Sequence, residues 1–194
     1  MKIPRAELQQ CIGKAKEISE AYQLLIPAGR GTSKRSIDVL VEVCQESSGL
    51  LIEICKVDLD LADQWLYGAC LLYQTKAVIL HAHYLNQCWE RFTVCKELFH
   101  VVLDKDEYRT TDIYQHLEDI ILAFPDDNST PTKPVMCEFL AEVAAMEFML
   151  PYHDRAQIIA SGQMSAMQVA QEYKIPCLLV ERYLSKGFME ILKM

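Results

Sequence analysis

The chain of 194 residues is 51% hydrophobic and 24% charged, with a formal net charge of -8, a length that accommodates one domain with a substantial core, or one domain and a small helical appendage. No apolar run approaches the roughly 20 residues that span a bilayer, and the start, MKIPRAELQQ, lacks the apolar core of a signal peptide, so the expectation is a cytoplasmic protein with no membrane segment. The charge is uneven: residues 1–36 carry seven basic side chains against three acidic, residues 37–151 seven against twenty, and residues 152–194 five against four, so the middle of the chain repels nucleic acid.

Residues 4–24 have a proline near the start and apolar positions Leu8, Cys11, Ile12, Ala15 and Ile18 at helical spacing, which predicts an amphipathic helix. The basic, Gly- and Ser-rich stretch PAGRGTSKRS at 27–36 reads as a solvated loop rather than a phosphate site. Ser36 is placed to cap a helix, IDVLVEVCQESSG, that ends near Gly49. Three segments of strand character follow, LLIEICKV (50–57), QWLYGACLLYQ (64–74) and AVILHAHY (77–84).

A helix from about Cys88 to Leu103 comes next. The acidic stretch 104–133 suggests a short helix around TDIYQHLEDIILAF and a loop at PDDNSTPTKP. A strong helix, VMCEFLAEVAAMEFML, spans 135–150 and is stopped by Pro151. The tail adds a helix after Pro151, another from Ser165 to Tyr173, a turn at Lys174-Ile175-Pro176, and a last helix toward the end. This divides the chain into an N-terminal helix with a basic loop (1–35), a main domain (36–151) and a helical tail (152–194).

The expected core comprises Leu40, Val41, Leu51, Ile52, Leu71, Val78, Leu80, Phe92, Val94, Leu98, Phe139 and Met146. Eight cysteines show no C-x-x-C pair and lie mostly among apolar neighbours, which points to reduced, buried thiols rather than disulfides or a structural zinc site.

The stretch that organises the chemistry is RFTVCKELFH, residues 91–100. On a helix it directs Lys96, Glu97 and His100 toward one cleft, because i and i+4 lie on one face. A zinc-protease helix carries H-E-x-x-H in this frame, two histidines binding the metal and the glutamate activating a water. Here the frame reads K-E-L-F-H.

Residues 91–100 resemble the R-F-T-x-A-H-E-x-x-H signature of the ImmA/IrrE family of zinc-metallopeptidase-like proteins. Residues 138–151, EFLAEVAAMEFMLP, resemble its E-x-x-A-N-x-F-A-A-x-x-L-M-P helix, and a helix followed by three strands is similar to its element order. The resemblance implies an α+β, zincin-like fold and the work of a regulator that cleaves or antagonises helix-turn-helix repressors. Carried onto this sequence, it puts Lys96, His100 and Glu138 at the ligand positions, Glu97 at the general base, and Glu142, where the family has Asn or Asp, in position to orient His100.

Lys96 departs from that pattern. His100 and Glu138 supply two ligands where a catalytic zinc usually takes three, and an ammonium beside the metal is repelled in a low-dielectric cleft. The lysine can instead pair with Glu97, Glu138 or Glu142 and take over the metal's structural charge. The expectation is a pseudoenzyme without a cofactor that binds a protein partner, repressor or antitoxin-like, in a phage, mobile-element or defence setting. The alternative is an active zinc endopeptidase with Glu97 as base; it needs a third ligand from His81 or His83, which strand alternation puts on one face.

The tail sequence SAMQVAQEYKIPCLLVERYL resembles a helix-turn-helix, with Ala170 on the first helix and Leu178, Leu179, Val180 and Leu184 as apolar positions on the second. That second helix offers Glu181, Arg182 and Lys186 instead of several basic or amide residues. Packing against the body or a protein partner is therefore expected ahead of DNA binding.

Overall fold

The computed structural model describes residues 4–26, 34–58, 67–103 and 132–193. Helix α1 (Arg5–Leu25) buries the predicted stripe of Leu8, Cys11, Ala15 and Ile18 together with Tyr22. Helix α2 (Ile37–Ser48) begins where expected, since the Ser36 hydroxyl accepts from the Val39 N–H. It ends at Gly49, whose φ of 71° is left-handed and whose N–H returns to the Gln45 carbonyl. Glycine adopts that conformation without the Cβ penalty, so the chain can reverse into the sheet.

Among the described residues the sheet has three strands in the order β1 (Leu51–Val57), β3 (Lys76–Ala82), β2 (Gly68–Leu72). β1 runs parallel to β3, with Leu51 opposite Lys76, and β2 runs antiparallel, with Gly68 opposite His81. The second predicted strand is shorter than expected, and residues 59–66 before it lie outside the described residues, as do the predicted acidic helix and most of the loop after it.

The structure corrects the phase of the sheet. Ile52, Ala77 and Ile79 are the strand residues that join the core, whereas Leu51 is 58% exposed and Leu71, Val78 and Leu80 lie on the opposite face. Both faces of these strands are apolar, so alternation alone left open which one meets the helices, and a shift of one residue exchanges the two sets.

Helix α3 (Gln87–Leu103) is opened by Asn86, whose Oδ1 accepts from Cys88 and Trp89 N–H groups at 3.0 and 3.1 Å. Helix α4 (Lys133–Met149) starts two residues before the predicted Val135 and carries Pro134 in its first turn, where no N–H is missed. Phe92, Val94, Leu98 and Met146 are buried as expected, while Val41 and Phe139 are half-buried at the border of the core.

Helices α5 (Tyr152–Ser161), α6 (Ala166–Tyr173), α7 (Cys177–Leu184) and α8 (Lys186–Leu192) form the tail. A Ser165–Gln168 capping box opens α6. The predicted last helix is two helices, because the Ser185 hydroxyl accepts from the Phe188 N–H and starts a new one. In α7 the buried positions are Leu179, Val180 and Tyr183, and Leu178 points to solvent. One continuous core joins α1, the sheet, α3, α4 and the tail.

Among the described residues, which include all eight cysteines, there is no disulfide; Cys11, Cys44, Cys95 and Cys137 are buried, and Cys55 is exposed on β1. Burial pushes the Cys11 and Cys44 thiols up to about 12. Among the described residues no helix is long and apolar enough to cross a membrane.

Gly68 is where β2 meets α3: a Cβ there would stand 2.5 Å from Thr93 Cγ2 and 2.9 Å from the Leu80 carbonyl oxygen. Gly68→Ala is expected to destabilise the fold by about 1–3 kcal/mol, the range for overpacking. Urea unfolding would show this as a lower midpoint at unchanged slope.

Candidate functional site

Helices α3 and α4 pack together and bring the two sequence motifs face to face. Their contact includes Phe99 against Phe148, ring centroids 6.0 Å apart, while Ala141, Ala144 and Ala145 are wholly buried and keep the α4 surface low. The flanking R-F-T is structural. Arg91 donates to the Arg35 carbonyl at 2.7 Å and ties α3 to the start of α2, Phe92 is buried in the core, and Thr93 packs under Gly68.

This packing joins four of the expected residues. Lys96 donates to Glu138 in a direct ion pair, and its Nζ lies 3.1 Å from Glu97 Oε1. His100 Nε2 stands 3.4 Å from Glu138 Oε1. Glu97 and His100 are buried, and the Lys96 side chain is 19% exposed. Burial by itself would lower the lysine's proton affinity, but Glu138 and then Glu97 outweigh it and hold the ammonium above its ordinary range. Lys96 is a fixed cation between carboxylates from two helices, with neither the free amine of a nucleophile nor a lone pair to offer a metal.

Of the other candidates, His83 and Glu142 turn to other partners. His81 is buried on β3 on the same face as Gly68, and among the described residues its Nδ1 finds no hydrogen-bond partner. His83 falls past the end of β3, exposed, with Nδ1 3.1 Å from Asp58 Oδ1; a turn after Ala82 breaks the alternation that would have aligned it with His81. Glu142 turns to the tail: its Oε1 accepts from Tyr183 Oη at 3.0 Å and Arg182 Nη2 at 2.6 Å. Those contacts are with α7 rather than with His100.

The residues present do not fit a catalytic zinc. His100 and Glu138 are two donors, Glu138 is engaged by an ammonium, and among the described residues no three His, Cys, Asp or Glu side chains are grouped to hold a metal ion.

The sequence did not reveal a second set of charges on α4. Glu147 accepts from Tyr152 N–H at 3.0 Å and pairs with Arg155, which is wholly buried with its guanidinium 5.4 Å from the Tyr183 ring centroid. Burial pushes Arg155 down to about 10. A lone arginine after a helix stop carries no sequence signal for burial; its partner five residues before Tyr152 became visible only in three dimensions.

A helix bearing K-E-x-x-H, crossed by a helix bearing a glutamate and seated under a small mixed sheet, defines a zincin-like α+β domain. The chain belongs to the ImmA/IrrE family: the model of the IrrE N-terminal-like domain matches residues 49–185. Among solved structures it is similar to a transcriptional regulator of Mycobacterium tuberculosis, with a TM-score of 0.50 and 18% identity over 88% of this chain. That likeness is one of fold, and it takes in 45% of the regulator's own length. No curated protein matches the chain.

Lys96→Met would leave two facing carboxylates and is expected to destabilise the protein by roughly 2–3 kcal/mol, less than the 3–5 of a fully buried broken pair. A raised folded-state value means that the lysine's contribution is complete below its ordinary 10.5 and is lost as pH climbs from there. Unfolding measured on both proteins from neutral to alkaline pH should therefore show their difference shrinking above about pH 10.5.

Proposed function

We propose that this is a non-catalytic ImmA/IrrE protein, in which a tethered ammonium stands where the family pattern places a metal ligand and the former substrate cleft serves to bind a protein partner. The observation that carries this reading is Lys96 paired with both Glu138 and Glu97. Zinc polarises a carbonyl and lowers the pKa of a bound water to about 7. An ammonium neutralises the same carboxylates but has no open coordination position, so a hydrolytic step has no activated water.

Retention of Glu97, His100 and Glu138 beside the lysine keeps the cleft's shape and polarity. The partner this favours is a repressor or antitoxin-like protein, held without being cut. The likeness in fold to a transcriptional regulator is compatible with such a role. On this reading the tail contributes packing, since Arg182 and Tyr183 of its helix-turn-helix-like segment are engaged by Glu142.

The test is metal content by atomic emission on protein purified without chelator and then loaded with zinc, with Lys96→His in parallel. The expected outcome is negligible zinc in the parent and close to one per chain in Lys96→His, whose third donor completes the site. One zinc per chain in the parent would overturn the proposal and favour the endopeptidase with Glu97 as base. Glu97→Gln separates the two again: it should leave partner binding intact here, and would abolish cleavage in a peptidase.

A further inference from the structure

We propose that the outward edge of β1 is a self-association surface, on which a second copy of this chain adds its own β1 antiparallel and doubles the three-stranded sheet. Among the described residues β1 is an edge strand, and its residues from Glu53 to Lys56 are all exposed, Ile54 by 40%. Its hydrogen-bonding phase follows from its two ends. Leu51 N–H donates to the Thr75 carbonyl and the Val57 carbonyl accepts from His83 N–H, so the odd-numbered residues serve β3. Ile52, Ile54 and Lys56 then direct their backbone groups outward. Ile52 N–H confirms the direction, because it is taken at 2.9 Å by the Gln45 side chain. Among the described residues no group takes up the outward N–H of Ile54 or Lys56.

Natural edges are often blunted by proline, a bulge, charged side chains or a covering helix or loop. β1 has no proline and no bulge. It pairs with β3 in unbroken register over its whole length. Its two charged side chains are already neutralised within the chain, Lys56 by Glu90 and Glu53 by Lys76, each at 3.0 Å.

The occupant follows from self-complementarity. In the antiparallel pairing centred on Ile54, that residue faces its own copy, Leu51 faces Val57, Glu53 faces Cys55 and Ile52 faces Lys56. No like charges are opposed, and the apolar pairs cover Leu51 and Ile54, two of the exposed large hydrophobic side chains. Ile54 and Lys56 of each copy would donate to the Ile54 and Ile52 carbonyls of the other, while Ile52 N–H stays with Gln45. A pairing one step along would put Glu53 against Val57 and Ile54 against Lys56, so that two apolar residues of each strand face charges instead of Ile52 alone.

Sedimentation equilibrium of the full chain with reductant, over a wide range of concentration at physiological salt, tests this. The weight-average mass is expected to rise from the 22.2 kDa of one chain toward twice that value. Ile54→Pro removes an outward N–H without removing a bond to β3, and should hold the mass at 22.2 kDa with an unchanged circular dichroism spectrum. Ile54→Lys, which keeps the backbone donor but adds like charges at the centre, should do the same and stands in if the proline variant fails to fold.

Glu53→Cys should be trapped as a covalent dimer through Cys55 of the second copy on mild oxidation, since directly opposed antiparallel residues meet disulfide geometry. A parent that stays at one-chain mass throughout overturns the proposal. So does a dimer that survives both changes at position 54, or one that Glu53→Cys fails to trap.

Discussion

The ammonium of Lys96 is the interaction on which the two central helices depend. Glu97 from α3 and Glu138 from α4 converge where the helices cross, and His100 leans on the same glutamate. Two carboxylates drawn this far from water repel each other unless a cation stands between them. A zinc ion meets that requirement in an active relative; here a side chain meets it. The lysine bridges the two carboxylates where α3 packs on α4.

Helix α4 carries the rest of the architecture because its carboxylates face in different directions. Glu138 takes Lys96, Glu142 takes Tyr183 and Arg182, and Glu147 takes Arg155 and the first N–H of α5. Aromatic contacts run along the same side: Phe139 meets Phe188, which stacks on Tyr183 at 4.6 Å. The tail is therefore fastened beside the glutamate that holds Lys96. Burial, and then the nearby Glu142 charge, hold the Tyr183 hydroxyl well above its ordinary range, so it remains a donor to Glu142 at any physiological pH. Apolar packing sets where α7 lies, and these charged hydrogen bonds set its rotation, which is why Leu178 rather than Tyr183 faces solvent.

The sheet plays a different part. Its inner face supplies Ile52, Ala77 and Ile79 to the core and presents Gly68 to α3, where only a residue without a side chain fits. Its outer face and the free edge of β1 leave apolar side chains in contact with solvent. A sheet this small, apolar on both sides, is well made for extension by another strand.

Helix periodicity, the Ser36 cap, the Gly49 stop and the K-E-x-x-H frame could all be read from residues within a few positions of one another, because they are local properties of the backbone. The resemblance of two short motifs also foretold the α+β fold and the meeting of Lys96, Glu97, His100 and Glu138. Nothing local distinguished the two apolar faces of β1 and β3, so Leu51, Leu71, Val78 and Leu80 were assigned to the wrong one. The turn that carries His83 out to Asp58, the capture of Glu142 by Tyr183 and the burial of Arg155 against Glu147 depend on residues brought together across elements. By itself the sequence determined which helices form and which groups could do chemistry. Tertiary structure alone decided which partner each charge finds, since a buried charge is settled by the nearest opposite charge in space and not by its neighbours along the chain.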